Sequence, residues 1–253
     1  MGAGPAIVLA HGYPLDGAMW SGVARVLSAR FRVLKPDLPG RGETGAPSDG
    51  SIDGYADFLL AVLAELSSPK GLAAFSMGGY AALAALRSRP DAVQALALVD
   101  TRASADDDAG RAKREEAIAT AREKGVSAIA DAMVPRLLSP GSQKQADLVE
   151  RVRRIILRQS VDTVVADLTA MRDRPDARAG LASIGIPTLV VVGDQDELTP
   201  PADSLAMSEA IPGARLSTIA AAAHLSPMER PGAVAAALGG FFAEALGLRE
   251  TEA

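Results

Sequence analysis

The chain has 253 residues, enough for one large buried core, and 48% of them are hydrophobic against 4% aromatic; the interior is therefore aliphatic, and no aromatic platform for stacking single-stranded nucleic acid is available. A formal net charge of -5 argues against a polyanionic partner. The absence of cysteine rules out disulfides, thiolate metal sites and a thiol nucleophile. No basic region precedes the first apolar run, which ends at His11 and is too short to cross a membrane, so the chain is read as a cytoplasmic protein without a membrane partner.

Taken in order, short apolar or β-rich runs alternate with helical patterns, the rhythm of a mainly parallel sheet covered on both faces. The first predicted strand is Ala6–Ala10, followed by His11-Gly12-Tyr13-Pro14. A second is Phe31–Lys35, followed by Asp37-Leu38-Pro39-Gly40-Arg41-Gly42, whose glycines suit a structural turn because the lysine of a phosphate loop is missing. Ile52, Tyr55, Leu59, Val62, Leu63 and Leu66 recur at helical spacing behind Ser51, a candidate N-cap. Gly71–Phe75 predicts a third strand, and the helix after it stops before Pro90. Ala95–Val99 is a fourth strand, closed by Asp100.

From about 103 to 182 the pattern is helical, with no convincing strand. Arg111, Lys113, Arg114, Glu115, Arg151, Arg153 and Arg154 read as solvated helix faces, and Asp106-Asp107-Asp108 as acidic residues complementing a helix dipole rather than a metal site. Pro135 is expected to interrupt a helix here. Thr188–Val192 and Arg215–Ile219 complete six strands, and a final helix runs from about Pro231 to Leu246.

Ser76 sits between the apolar run ending at Phe75 and a helix-like stretch, with Ala74 and Gly78 on either side. That is the pattern of a nucleophile elbow, a strained strand-to-helix turn that lifts a hydroxyl clear of the backbone. Such a serine needs a base, and His224 is the candidate, since His11 is the only other histidine. The base in turn needs a carboxylate, and the order Ser, acid, His favours Asp196 in the loop after Gly193, with Asp194, Glu197 and Asp100 as rivals. The amide of Met77, next to the nucleophile, is one candidate donor to an oxyanion.

These motifs, together with Gly193-Asp194-Gln195-Asp196-Glu197-Leu198-Thr199-Pro200 and His224-Leu225-Ser226-Pro227-Met228-Glu229-Arg230-Pro231, resemble the α/β-hydrolase superfamily from about residue 5 to 246. The resemblance implies that 1–102 and 183–253 form the core, that 103–182 is a helical cap of about four helices, and that the usual N-terminal antiparallel hairpin is missing or cut back. It places the acid at Asp196 and the second oxyanion amide at Tyr13, and gives His11 a structural role. Ala220–Ala223 stands where the family usually has proline and glycine, so a loop needing positive φ would be strained there. The implied activity is hydrolysis of small apolar carboxylic esters through an acyl-enzyme, with no cofactor or metal. Tyr13, Met77, Met133, Leu137, Leu138 and Leu198 are the candidate pocket residues, and Trp20 is core or pocket wall. Met171-Arg172-Asp173-Arg174-Pro175 also points toward enol-lactonase-like hydrolases. Cofactor-free haloperoxidase-like activity is compatible with the same triad, and a non-catalytic ligand-binding role is compatible with the same fold. Nothing in the sequence fixes an oligomeric state.

Overall fold

The computed structural model describes residues 2–42, 44–45 and 49–248. Six strands, β1 (Ala6–Ala10), β2 (Arg32–Leu34), β3 (Lys70–Phe75), β4 (Ala95–Val99), β5 (Thr188–Gly193) and β6 (Arg215–Ile219), form one sheet in the order β2-β1-β3-β4-β5-β6. Every pairing is parallel, with Ala10 opposite Ala74, Phe75 opposite Val99 and Val99 opposite Val191. Among the described residues no antiparallel strand precedes β1.

The central strands are buried along their whole length because helices cover both faces. On one face Val8, Leu72, Leu96 and Val190 pack with α2 (Ile52–Ala64) and α3 (Met77–Ser88). On the other, Ile7, Leu9, Phe75 and Val191 pack with α1 (Ser21–Leu27) and α9 (Pro231–Ala245). Ser51 caps α2 as its sequence position suggests, its Oγ accepting the Gly54 amide at 3.0 Å. Trp20 lies in the second core, edge-on to Phe75 at 6.4 Å between ring centroids.

Between β4 and β5 the chain forms α4 (Asp108–Leu137), α5 (Ala146–Leu157) and α6 (Val161–Asp173), with α4 packed on both of the others. The break in α4 falls at Gly125 (φ 74°, ψ −179°), a conformation that only glycine adopts readily, rather than at Pro135. Pro135 lies inside the helix, two residues before its end at Leu137, and its own carbonyl accepts the Gln143 side-chain amide at 2.8 Å. Several links tie this insertion to the rest of the chain. Arg41, in the turn after β2, forms a buried ion pair with Asp167 of α6 and donates Nε–H to the Leu15 carbonyl at 2.8 Å. At the other end, the Leu225 amide donates to the Leu137 carbonyl at 2.9 Å. The remaining helices are α7 (Pro201–Ala210) and the short α8 (Ser226–Glu229). No helix among the described residues is long and apolar enough to cross a membrane.

Candidate active site

Because all six strands run the same way, the residues that follow β1, β3, β4, β5 and β6 emerge at one edge of the sheet. That edge gathers His11, Ser76, Asp100, Asp196 and His224. Ser76 adopts φ 50° and ψ −116° at the start of α3, a strained turn for a residue with a side chain. It is possible only because Gly78 lets the helix pass β1: a Cβ there would come within 2.5 Å of the His11 carbonyl oxygen.

His224 Nε2 lies 2.9 Å from Ser76 Oγ, and His224 Nδ1 lies 2.9 Å from Asp196 Oδ2. All three side chains are buried. Asp196 is held in turn by the amides of Leu198 and Thr199, which donate to Oδ1 at 2.8 and 3.0 Å, and by the Thr199 hydroxyl, which donates to Oδ2 at 2.6 Å. Burial works against its ionisation, but the neighbouring His224 and the bonds from His224 and Thr199 outweigh it and hold the Asp196 carboxyl below its usual range. Sequence reasoning missed Thr199, whose one signal is its position three residues after Asp196, a spacing that suits such a local side-chain turn.

The rivals for the acid role do other work. Asp100 is fully buried, accepts the Gly193 amide at 2.8 Å and bonds the Ser226 hydroxyl. Burial, and then the charge of Asp196, push its pKa well up. Asp194 accepts the Ala222 amide at 3.3 Å, and Glu197 lies in the cleft wall. His11 is buried, accepting the Leu38 amide on Nε2 at 2.9 Å and facing the Gly12 carbonyl with Nδ1 at 3.2 Å. This requires the neutral Nδ1–H tautomer, and burial followed by the charge of Arg41 lowers its pKa well below the usual value.

The Tyr13 amide donates to no described group, and Met77 opens α3, where an amide has no carbonyl four residues back in its own helix. The loop before His224 carries the strain that its alanines foreshadow, with Ala221 at φ 56°. Even so, His224 is fixed. Glu229, which sequence reasoning also missed, is buried and accepts the Ala223 amide at 2.7 Å and the Ser139 amide at 2.8 Å, joining the base loop to the end of α4.

Over these groups lies a cleft of about 350 Å³ that reaches Ser76 and His224. Tyr13, Met133 and Leu198 line it as expected. Leu137, Leu138 and Met77 do not: the leucines are buried in the core beneath the insertion, and the Met77 side chain points into the core shared with α2. The wall is also more polar than the apolar pocket expected, because Arg102, Lys113, Arg114 and Arg136 line it. Lys113 and Arg114 thus belong to the cleft and not to a purely solvated face; periodicity could not reveal this, since it does not say what a polar face looks onto. No group of three or more His, Asp or Glu side chains among the described residues is placed to hold a metal ion.

Residues 5–231 match the α/β hydrolase fold family, and the chain belongs to it. Within that family it is similar to a pimeloyl-[acyl-carrier protein] methyl ester esterase of Nitrosomonas europaea, 29% identical over 85% of this chain and 86% of the relative. Among solved structures it resembles a thermophilic esterase from Thermogutta terrifontis with malate bound, at 34% identity and a TM-score of 0.92 over 97% of this chain and 92% of that one. The enol-lactonase of Burkholderia xenovorans LB400 is 27% identical with a TM-score of 0.87, covering 95% and 92% of the two chains.

Proposed function

We propose that the chain is a carboxylic ester hydrolase in which Ser76 is the nucleophile, His224 the base and Asp196 the acid. The observation that carries this reading is the unbroken line from Ser76 Oγ through His224 to Asp196, with 2.9 Å at each step. His224 with its proton on Nδ1, directed at Asp196, presents a free Nε2 lone pair to the Ser76 hydroxyl. As Oγ attacks the ester carbonyl its proton passes to Nε2, and the imidazolium faces an ionised carboxylate. The tetrahedral oxyanion meets the amides of Tyr13 and Met77, donors fixed before the reaction begins. Collapse expels the alcohol with the proton from Nε2 and leaves an acyl-Ser76 ester. Water, deprotonated by the same His224, then releases the acid.

The esterases among its relatives support this reading, and the helical insertion between β4 and β5 serves as a cap that limits what reaches Ser76. Resemblance to an enol-lactonase favours lactones, which are internal esters, as a second substrate class for the same mechanism. The test is labelling with a fluorophosphonate probe beside a panel of esters and lactones. Wild type should be labelled and Ser76→Ala should be neither labelled nor active. A folded wild-type protein that resists the probe and hydrolyses nothing in the panel would make the fold a binding module instead.

A further inference from the structure

The cleft carries charge that ester hydrolysis does not use. In a chain of net charge -5, four cations, Arg102, Lys113, Arg114 and Arg136, line the cavity that contains Ser76, against Asp106, Asp107 and Glu197. Four cations against these three carboxylates leave the lining one charge positive. Asp106 is enclosed by three guanidinium groups, pairing with Arg102 at 2.6 Å, Arg114 at 3.0 Å and Arg174 at 2.9 Å, which leaves that cluster with excess positive charge. Asp107 caps α4, accepting the Gly110 amide at 2.7 Å. Lys113 and Arg136 make no ion pair among the described residues. The Nε–H of Arg102 is buried without a hydrogen-bond partner.

The placement of these cations depends on the backbone. At roughly 1.5 Å per residue, Arg114 and Arg136 would stand about 33 Å apart on an unbroken helix, too far to border one cleft. The break at Gly125 turns the second half of α4 back, so that both halves line the same cavity. Both charges act on the Tyr13 hydroxyl: burial and Asp167 raise its pKa, while Arg114, Arg41 and Arg136 oppose the rise. The cations therefore lie within electrostatic reach of the residue whose amide faces the reacting carbonyl.

We infer that this cleft selects esters that carry a carboxylate a few atoms from the scissile bond, held by Arg136 and by Arg114 and Lys113 of the kinked α4. The inference rests on the hydrolase reading above and specifies its substrate. A guanidinium presents a planar pair of donors that matches a carboxylate.

Three substrates test it: monomethyl adipate, with its carboxylate on the acyl side; 4-acetoxybutyrate, with its carboxylate on the alcohol side; and neutral dimethyl adipate. One or both anions should exceed the neutral ester at least tenfold in kcat/KM, chiefly through KM, and which one does assigns the carboxylate to the acyl or alcohol arm of the cleft. The advantage should shrink as salt rises. Arg136→Ala and Arg114→Ala should collapse the ratio, Arg136→Lys should restore part of it, and Lys144→Ala, an exposed cation outside the cleft, should leave it alone. Calorimetry on Ser76→Ala gives a readout independent of turnover, with the favoured anion binding more tightly than the diester. Equal or better handling of the neutral ester, with Ser76 labelled by the fluorophosphonate, overturns this inference and spares the hydrolase reading. Tighter binding of the anion to a protein that hydrolyses none of the three esters and resists the probe keeps the anion site and overturns the hydrolase reading.

Discussion

Ala221 offers a quantitative test of the loop that delivers the base. At φ 56° it holds a left-handed conformation, which costs an L-residue about 1–2 kcal/mol relative to glycine. Glycine gives back part of that through greater freedom in the unfolded chain, about 0.5–1 kcal/mol. The net for Ala221→Gly is a gain of about 0.5–1 kcal/mol, or roughly 1–4 °C in a chain of this size. The neighbouring Ala222 is fully buried and has no positive φ, so Ala222→Gly has only the entropic term and a lost methyl to register and should destabilise by about 1 kcal/mol. Urea unfolding of the three proteins measures both, with a shift in midpoint at constant m-value. Hydrolysis should survive Ala221→Gly, because His224 is held by Asp196 and its loop by Glu229. An Ala221→Gly protein no more stable than wild type, beside a destabilised Ala222→Gly, would refute the account of strain in this loop.

Asp196→Asn should lower kcat by about 10³–10⁴-fold, because the amide favours the wrong His224 tautomer, whereas Asp100→Asn should stay near wild type, since Asp100 bonds Gly193 and Ser226 rather than His224; kinetics on both variants would move the acid to Asp100 if the ranking reversed. Glu229→Ala leaves two buried amides without an acceptor, at about 1–3 kcal/mol each, so its urea midpoint should fall well below that of Glu229→Gln, and equal midpoints would deny the carboxylate its bridging role. Burial alone would raise the pKa of Asp106, but hydrogen bonds and charge from Arg174 and Arg114 lower it from 3.8 to about 2. The folded state then binds fewer protons than the unfolded one between those values, so the stability Asp106 confers is present above about pH 4 and disappears as pH falls toward 2. The midpoint difference between wild type and Asp106→Asn should close over that range, and a gap unchanged from pH 6 to 2 would remove the ion cluster as its cause.

Much of the frame is legible in the sequence because it depends on local pattern. Three of the six strands, Ala6–Ala10, Ala95–Val99 and Arg215–Ile219, have the ends that their apolar or β-branched runs suggest. Ser76 stands out because an elbow demands small neighbours on both sides, and His224 because the chain offers so few alternatives. What the sequence conceals depends on long-range geometry. Pro135 has the look of the helix breaker and Gly125 does not, since a proline signals its effect locally while a glycine breaks a helix only where packing asks for it. Proximity in sequence to Met133 suggests a place on the pocket wall for Leu138, but the end of α4 dives into the core beside Leu225. The Asp106 cluster draws in Arg102 four residues before it and Arg114 eight after it, but also Arg174 from beyond α6, which no local spacing could join to them.

The strained residues show how the edge of the sheet is organised. Among the described residues, three without a glycine's freedom take positive φ, namely Ser76, Asp100 and Ala221, and they follow β3, β4 and β6, so strain collects in turns at the sheet edge that gathers Ser76, Asp196 and His224. Each is cross-tied to its neighbours. The Ser76 amide donates to the Val99 carbonyl at 3.0 Å, the Asp100 amide donates to the Val191 carbonyl at 2.8 Å, and the Thr101 hydroxyl donates to the Ser76 carbonyl at 2.8 Å. Asp100, bound to Gly193 and Ser226, then links the turn after β4 to the end of β5 that leads to Asp196 and to the helix that follows His224. The two buried aspartates therefore divide their labour: Asp196 bonds His224, and Asp100 ties the surrounding turns together.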